Sequence, residues 1–564
     1  MKKEGFKRKI QTFIVVIIAL IAVFFTSPKY FSQELYRPSG SVFIGMTGYF
    51  EDFYYYLDQF YQGKQGNWLT ENRFSIERFP PTLVYFDNVL LGKLGGIIGF
   101  ESYESYNFFG LLFKLLFIIG SFLVIKKIFP TSFDKQMTAF LIFLCSTGFP
   151  NIIIQNGAII VRQPTEIFRS ANLALARFGT SPSGMLVNFL FVVLFLVVLS
   201  VYQKELKNIG NTNHSLKQLL QSKINIFFVV GIILAFSLMI FADPVIALLF
   251  LLTIFSILLI NKISPKRMPR FYTIVLLLIV LCAGLGLIFI LNVQADTVYR
   301  LADSWDVTQY LAQVKSLGVF SILKGFSLLL PFGLVGLFLM IKKKEKTIYE
   351  QFGIIIVCIS LIGYSVPLIF HISVLGFRFL SPSIYIFFSV FVLFAFEYIA
   401  SKITIKNLYT ILLVGYFGIN LVGYFRAWSD EFKPLTEPYS HFAYIPTDLY
   451  KGLVFLRNAR PLDGNVLASS TTSIDLMIPG IAGRYTFSGH SLTTYNAQTK
   501  DNNSSKFFFE WTDEQVARNF LRSNNIRFIF VTVYSQAVNR IDVFYPFLTV
   551  VYANPMVTIY RYDY

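Results

Sequence analysis

The chain begins MKKEGFKRKIQTFIVVIIALIAVFF (residues 1–25), with Lys2, Lys3, Lys7, Arg8 and Lys9 ahead of an apolar run. No small-residue cleavage site follows that run, so it reads as an uncleaved first membrane helix and not as a removed signal. Its basic head holds the N-terminus in the cytoplasm. A helix that crosses the hydrocarbon needs roughly 20 mostly apolar residues. Stretches of that kind fall at about 10–26, 104–125, 136–154, 185–202, 225–241, 246–261, 271–292, 318–341, 352–370, 382–399 and 408–424. They predict a polytopic α-helical membrane protein of about eleven crossings.

Composition agrees. Of 564 residues, 55% are hydrophobic and 14% charged, with a mean hydropathy of +0.58, against about 25% charged in soluble proteins. The net charge of +17 does not point to nucleic acid, because the basic residues sit in short tails between apolar runs, where they orient helices. Cys145, Cys282 and Cys358 all lie in apolar runs and read as small buried hydrophobes. There is no disulfide framework and no Cys/His metal spacing.

Lys126, Lys127, Lys204, Lys207, KISPKRMPR (262–270), KKKEK (342–346), Lys402 and Lys406 all fall on the cytoplasmic side of an eleven-span count. Residues 80–100, PPTLVYFDNVLLGKLGGIIGF, are apolar enough to tempt a twelfth. Counting them would move every basic tail downstream to the wrong side, and Asp87 and Lys93 interrupt them. They read instead as an amphipathic helix in the outer interface. Residues 1–424 are thus expected to form the transmembrane domain, with 28–103 its long first outer loop. Residues 425–564 carry short β-rich runs (GNVLASS, RFIFVTV, LTVVYANPMVTIYRY) and a helix-spaced TDEQVARNFLRSNN with a Thr-x-x-Gln capping pattern. They predict a small α/β domain outside the cytoplasm, on a multi-pass protein of the cell membrane.

The chemistry-bearing residues gather on the outer side. In FEDFYYYLDQFYQG (50–63), Phe50, Phe53, Tyr54, Leu57 and Phe60 recur at helical spacing, predicting an interfacial helix whose rings sit at headgroup level. Glu51 and Asp52 on that helix are either a solvated acidic pair favoured by the helix dipole or a general base at the membrane surface. Glu77 either pairs with Arg73 or Arg78 or serves a substrate. Lys114 lies inside a crossing, where an ammonium is costly; it either snorkels to the headgroups or partners a phosphate. Arg162, Arg169 and Arg177 lie on the outer side against positive-inside sorting and ask for an anion, either lipid headgroups or a phosphate-bearing substrate. Arg378 stands just ahead of the tenth crossing. Asp296, Asp303 and Asp306 read as a solvated loop, and His490 as a structural histidine. No Walker motif, Gly-rich phosphate loop or Ser/His/Asp arrangement is present, so an activated substrate must carry its own energy.

The order of these parts resembles the GT-C class of membrane glycosyltransferases, and more closely its bacterial members with an outer C-terminal α/β domain. The likeness is carried by EDFYYYL, YQGKQGNWL, SIERFPPTLVY and LLGKLGG in the first loop. At the other end it is carried by NVLASS, GRYTFSGH, FLRSNNIRFIFV and VYANPMVTIYRY. It implies a first-loop acid at Asp52 with Glu51 beside it, a loop glutamate at Glu77, and an Arg-Phe-x-x-Pro element, here RFLSP, at Arg378. SIERF departs from the usual dipeptide by an inserted isoleucine. The resemblance further implies an inverting glycosyltransferase that takes a sugar from a polyprenyl-phosphate donor among the membrane lipids. The acceptor is a glycan, lipid or protein on the outer face. Some relatives use a divalent metal; this sequence fixes no cofactor. The rival readings are a transporter or flippase of lipid-linked saccharides, which would show paired repeats and charged or broken mid-membrane helices, and a non-catalytic relative in envelope assembly.

Overall fold

The computed structural model describes the chain except residues 1, 47–48, 156–157, 163–173, 180, 209–222, 262–268, 297–307, 309–311, 313–323, 371–375, 434–439, 470–471, 511–512, 536–540 and 564. Two compact units emerge. One comprises residues 1–28, 110–288 and 306–433, the other 29–109, 289–305 and 434–564. The last break between them in the sequence follows Lys433. The long first loop shares a unit with the C-terminal segment, an association that sequence order conceals.

The first unit is helical. Helix α1 is Lys2–Phe25, and a later pair, α5 (Ser102–Ile128) and α6 (Phe133–Cys145), covers the second and third apolar runs. Further helices are Pro182–Asn208, Lys223–Ala242, Pro244–Ile260, Pro269–Ala295, Leu329–Lys342, Ile348–Phe370, Ile384–Lys402 and Leu408–Glu431. Each of the eleven runs thus contains a helix. Among the described residues, six of these are long and apolar enough alone to cross a membrane, or seven when α1 and its continuation Pro28–Leu35 (α2) count as one. The chain is a polytopic helical membrane protein. Its core is aromatic: Phe195, Phe352 and Phe387 are buried, with ring centroids 4.9 to 5.8 Å apart.

The third run differs from expectation. Its helix starts where Ser132 caps it by accepting from Lys135 N, and it ends at Cys145. Thirteen residues reach only about 20 Å. Residues 151–154, expected inside the crossing, belong to strand β2 (Asn151–Gln155), paired antiparallel with β3 (Ala158–Arg162). The intervening Gly148-Phe149-Pro150 cannot continue a helix, and three successive isoleucines (152–154) favour a strand.

In the second unit, strand β1 (Ser41–Phe43) pairs antiparallel with β4 (Tyr444–Pro446), joining the first loop to the C-terminal segment. Helices α3 (Phe50–Lys64) and α4 (Phe86–Ile98) form a tight hairpin. The remainder is a four-stranded sheet in the order β5 (Asn465–Ala468), β6 (Ile526–Thr532), β8 (Val557–Arg561), β7 (Thr549–Ala553). Strands β5 and β6 run parallel and the other neighbours antiparallel. The predicted β-rich runs supply these strands. The helix Glu514–Ser523 is capped by Asp513, which accepts from Gln515 N and Val516 N; the capping pattern expected from Thr512 lies outside the described residues.

Candidate functional site

Helix α3 carries the acidic pair on its first turn, and the side chain of its N-cap residue, Tyr49, does not cap it. The rings expected at the headgroups are packed within the unit instead. Phe53, Tyr54, Leu57 and Phe60 are at most 1% exposed. Phe53 meets Tyr106 edge-on at 5.1 Å, Phe50 stacks on Phe442 at 4.5 Å, and Tyr54 Oη donates to Phe442 O at 2.8 Å. A tyrosine in this core keeps its hydroxyl satisfied while burying its ring, which yields more than leaving it half in water. The solvent-facing apolar residues of the hairpin are instead Leu94, Ile97 and Ile98 at the end of α4.

Around the first turn of α3, Glu51 accepts a hydrogen bond from Ser491 Oγ, and its Oε2 lies 4.0 Å from His490 Nδ1. His490 is 3% exposed, with its ring 5.4 Å from Tyr55 and 6.0 Å from Phe74. Its Nδ1 accepts from Leu492 N at 3.1 Å, which leaves the ring proton on Nε2. Burial pushes its pKa down to about 4, so the imidazole is neutral near pH 7. Asp52 is half-buried on the same turn. Tyr85, at the start of α4, holds a left-handed backbone (φ 60°) and presents its ring to Tyr55 and Tyr56, at 5.6 and 5.8 Å. A tyrosine rarely adopts that conformation without a surrounding structure that enforces it. Here Thr82 Oγ1 donates to Asp296 Oδ2 and Leu83 N to Asn292 Oδ1 just upstream.

The loop between α3 and α4 is stitched to residues 483–500. Asn72 Nδ2 donates to Thr493 O, Thr494 Oγ1 to Phe74 O, and Lys500 Nζ to Ser75 Oγ and Glu77 Oε2. Glu77 therefore pairs with Lys500 and not with Arg73 or Arg78.

 In plain sequence separation, Lys500 lies 425 residues from Ser75 and 423 from Glu77, which is why no local pattern revealed the pair. Burial alone would raise the Glu77 pKa, but hydrogen bonds from Lys500 and Ser75 outweigh it and hold the carboxyl below its ordinary value. Arg78 lies over the Tyr485 ring at 3.3 Å.

Beneath this loop sits Asp58, 2% exposed, which accepts from Gln62 Nε2 at 2.8 Å and lies 3.8 Å from Arg73. Burial outweighs the nearby guanidinium and lifts its pKa to about 6. A carboxyl whose folded pKa exceeds its unfolded value binds more protons when folded, so its contribution to stability is lost as pH rises from about 4 to about 6 and is constant above. The melting temperature of the wild-type protein is expected to fall across that window relative to Asp58→Asn, which lacks the titration. Parallel melting-temperature profiles between pH 4 and 7 would reject the assignment.

The basic residues singled out in the sequence lie in the first unit. Lys114 Nζ donates to Thr26 O and Ser27 Oγ, at 2.9 and 2.6 Å, near the end of α1. Arg177 is fully buried, donates to Phe143 O and Ser146 O at the end of α6, and lies 4.6 Å from the Tyr385 ring centroid. Both thus satisfy backbone carbonyls that a helix end leaves open. Arg162 is exposed on β3 opposite Asn151. Arg378 is half-buried in the short helical turn Gly376–Phe379, where its charge acts on Asp243. Arg169, Asp303 and Asp306 lie outside the described residues. Among the described residues, no group of three or more His, Cys, Asp or Glu side chains is arranged to hold a metal ion. Sequence reasoning missed Ser491, Lys500 and Asp58. GRYTFSGH carries part of the resemblance and ends at His490, yet nothing local ties His490 or Ser491 to Glu51.

The fold is that of the GT-C class of membrane glycosyltransferases. It is shared with the oligosaccharyltransferase AglB of Archaeoglobus fulgidus, solved with an inhibitory peptide and a dolichol-phosphate. That match has 13% identity and a TM-score of 0.51 over 94% of this chain and 70% of that one. The apo form of the Archaeoglobus fulgidus oligosaccharyltransferase gives 14% identity and a TM-score of 0.54 over 93% and 70%. The arabinofuranosyltransferase AftD from Mycobacteria gives 12% and 0.51 over 97% of this chain and 41% of that chain. At such identities the likeness is one of fold. No family model matches the chain, and no curated protein does.

Proposed function

We propose that the chain is an inverting membrane glycosyltransferase that moves a sugar from a polyprenyl-phosphate donor to an acceptor on the outer face of the cell membrane. The observation that carries this reading is the Glu51–Asp52 pair on the first turn of α3 within a GT-C fold. In support, one oligosaccharyltransferase structure of similar fold holds a dolichol-phosphate and another a tethered acceptor peptide.

In this reading Asp52 takes the proton of an acceptor hydroxyl as its oxygen attacks the anomeric carbon. The bond from that carbon to the phosphate oxygen breaks, and the electron pair leaves with the polyprenyl phosphate. A basic side chain neutralises the departing charge. The N-terminus lies in the cytoplasm and the C-terminal segment outside.

The test uses the full chain in lipid nanodiscs with a panel of short-chain polyprenyl-phosphate hexoses and pentoses, and mixed glycan and peptide acceptors. Release of polyprenyl phosphate together with a new glycoside is expected. Intact passage of a lipid-linked sugar across proteoliposomes, without cleavage of any donor in the panel, would replace the transferase with a transporter.

A further inference from the structure

Glu51 and Asp52 follow Tyr49, whose side chain does not cap the orphan amides, and such a turn frays unless something outside the helix holds it. The outside element is the segment 488–494. Ser491 Oγ donates to the Glu51 carboxylate, and His490 fills the space between Tyr55 and Phe74 directly behind it.

That segment is itself rigidly built. Thr493 N and Thr494 N donate to His490 O, Gly489 N donates to Thr494 Oγ1, and Leu492 N donates to His490 Nδ1. Thr494 and Asn72 then bind it to the α3–α4 loop. With one oxygen of Glu51 engaged by Ser491, the helical offset of about 100° per residue fixes the direction of Asp52.

We propose that Ser491 and His490 are positioning residues: a C-terminal latch that holds the carboxylate turn of α3 in its reactive orientation. Neither exchanges a proton in the reaction. The kinetic side of this inference rests on the transferase reading above; the structural side does not.

The test compares wild type, Ser491→Ala, Ser491→Thr and His490→Gln as full chains in nanodiscs, with two readouts. By hydrogen exchange, the amides of residues 50–56 are expected to exchange about five to ten times faster in Ser491→Ala, while those of 60–64 stay at wild-type rates. Ser491→Thr, which keeps the hydroxyl, restores protection. His490→Gln keeps an acceptor for Leu492 N but leaves the ring space empty, and is expected to loosen 50–56 in the same sense. With whichever donor of the panel the wild type cleaves, kcat is expected to fall about ten- to a hundredfold in Ser491→Ala with KM within about twofold, and to recover in Ser491→Thr.

Unchanged exchange at 50–56 in both Ser491→Ala and His490→Gln would overturn the latch. So would a raised KM with intact kcat, which marks a substrate contact. If the wild type cleaves no donor, the transferase reading falls alone, and the exchange experiment still decides the latch.

Discussion

Asp52→Asn is expected to lower sugar transfer by a factor of roughly 10²–10⁴ while the protein stays folded. Asn matches Asp in size and keeps a carbonyl acceptor, but it cannot take a proton from a hydroxyl. The folded state should tolerate the change because the packing of this turn rests on Phe53 and Tyr54, at most 1% exposed, and on the Ser491–Glu51 hydrogen bond. Asp52 itself is half-buried. Glu51→Gln is the necessary companion. A glutamine can still accept from Ser491, so positioning survives and turnover should drop far less, within about tenfold. Near-normal transfer by Asp52→Asn, or a larger loss in Glu51→Gln, would remove Asp52 from the role of base.

The membrane character, the presence of a helix in each apolar run and the strands of the C-terminal sheet were legible because each rests on a local pattern. Apolar length reports a crossing, and a short β-branched run bounded by turn residues reports a strand. Acidic residues beside aromatic ones were equally visible at Glu51 and Asp52. What stayed hidden was pairing across several hundred residues. Nothing in SIERF shows that Glu77 meets Lys500, and nothing in FSGHS shows that Ser491 meets Glu51.

The same limit misled the reading of α3. Helical spacing of rings is identical whether the face meets lipid headgroups or a protein core, and only Tyr106 and Phe442, distant in sequence, decide between them. Lys114 and Arg177 show a related ambiguity. A cation in an apolar run announces that it needs a partner, yet not whether the partner is a substrate phosphate or the carbonyls at a helix end. Here carbonyls of Thr26, Phe143 and Ser146 take that place.

Gly92→Val is expected to be among the most damaging single changes in the site-bearing hairpin. At Gly92 a Cβ would stand 2.1 Å from Phe60 O and 2.6 Å from Phe60 Cα, and at Gly63 it would stand 2.0 Å from Val89 O. These obstacles are backbone atoms, so no rotamer change relieves them; α3 and α4 must move apart. Overpacking of this kind costs about 1–3 kcal/mol or more, against a helix-propensity gain over glycine of at most about 1 kcal/mol for Ala and less for Val.

Separation of the two helices would also stretch the buried hydrogen bond from Asn88 Nδ2 to Gln59 Oε1, 2.6 Å long, and tilt the turn that carries Asp52. A displacement of about 1 Å at a reacting group can cost on the order of 10²-fold in rate. Transfer should therefore fail in any Gly92→Val protein that still folds. Gly92→Ala should show the same loss in milder form. The control is Gly284→Ala, in the helix Pro269–Ala295, where a Cβ meets nothing within 4 Å and the melting temperature should hold or rise. A Gly92→Val protein that melts with the Gly284→Ala control and transfers sugar at the wild-type rate would show that α3 and α4 are not packed backbone to backbone.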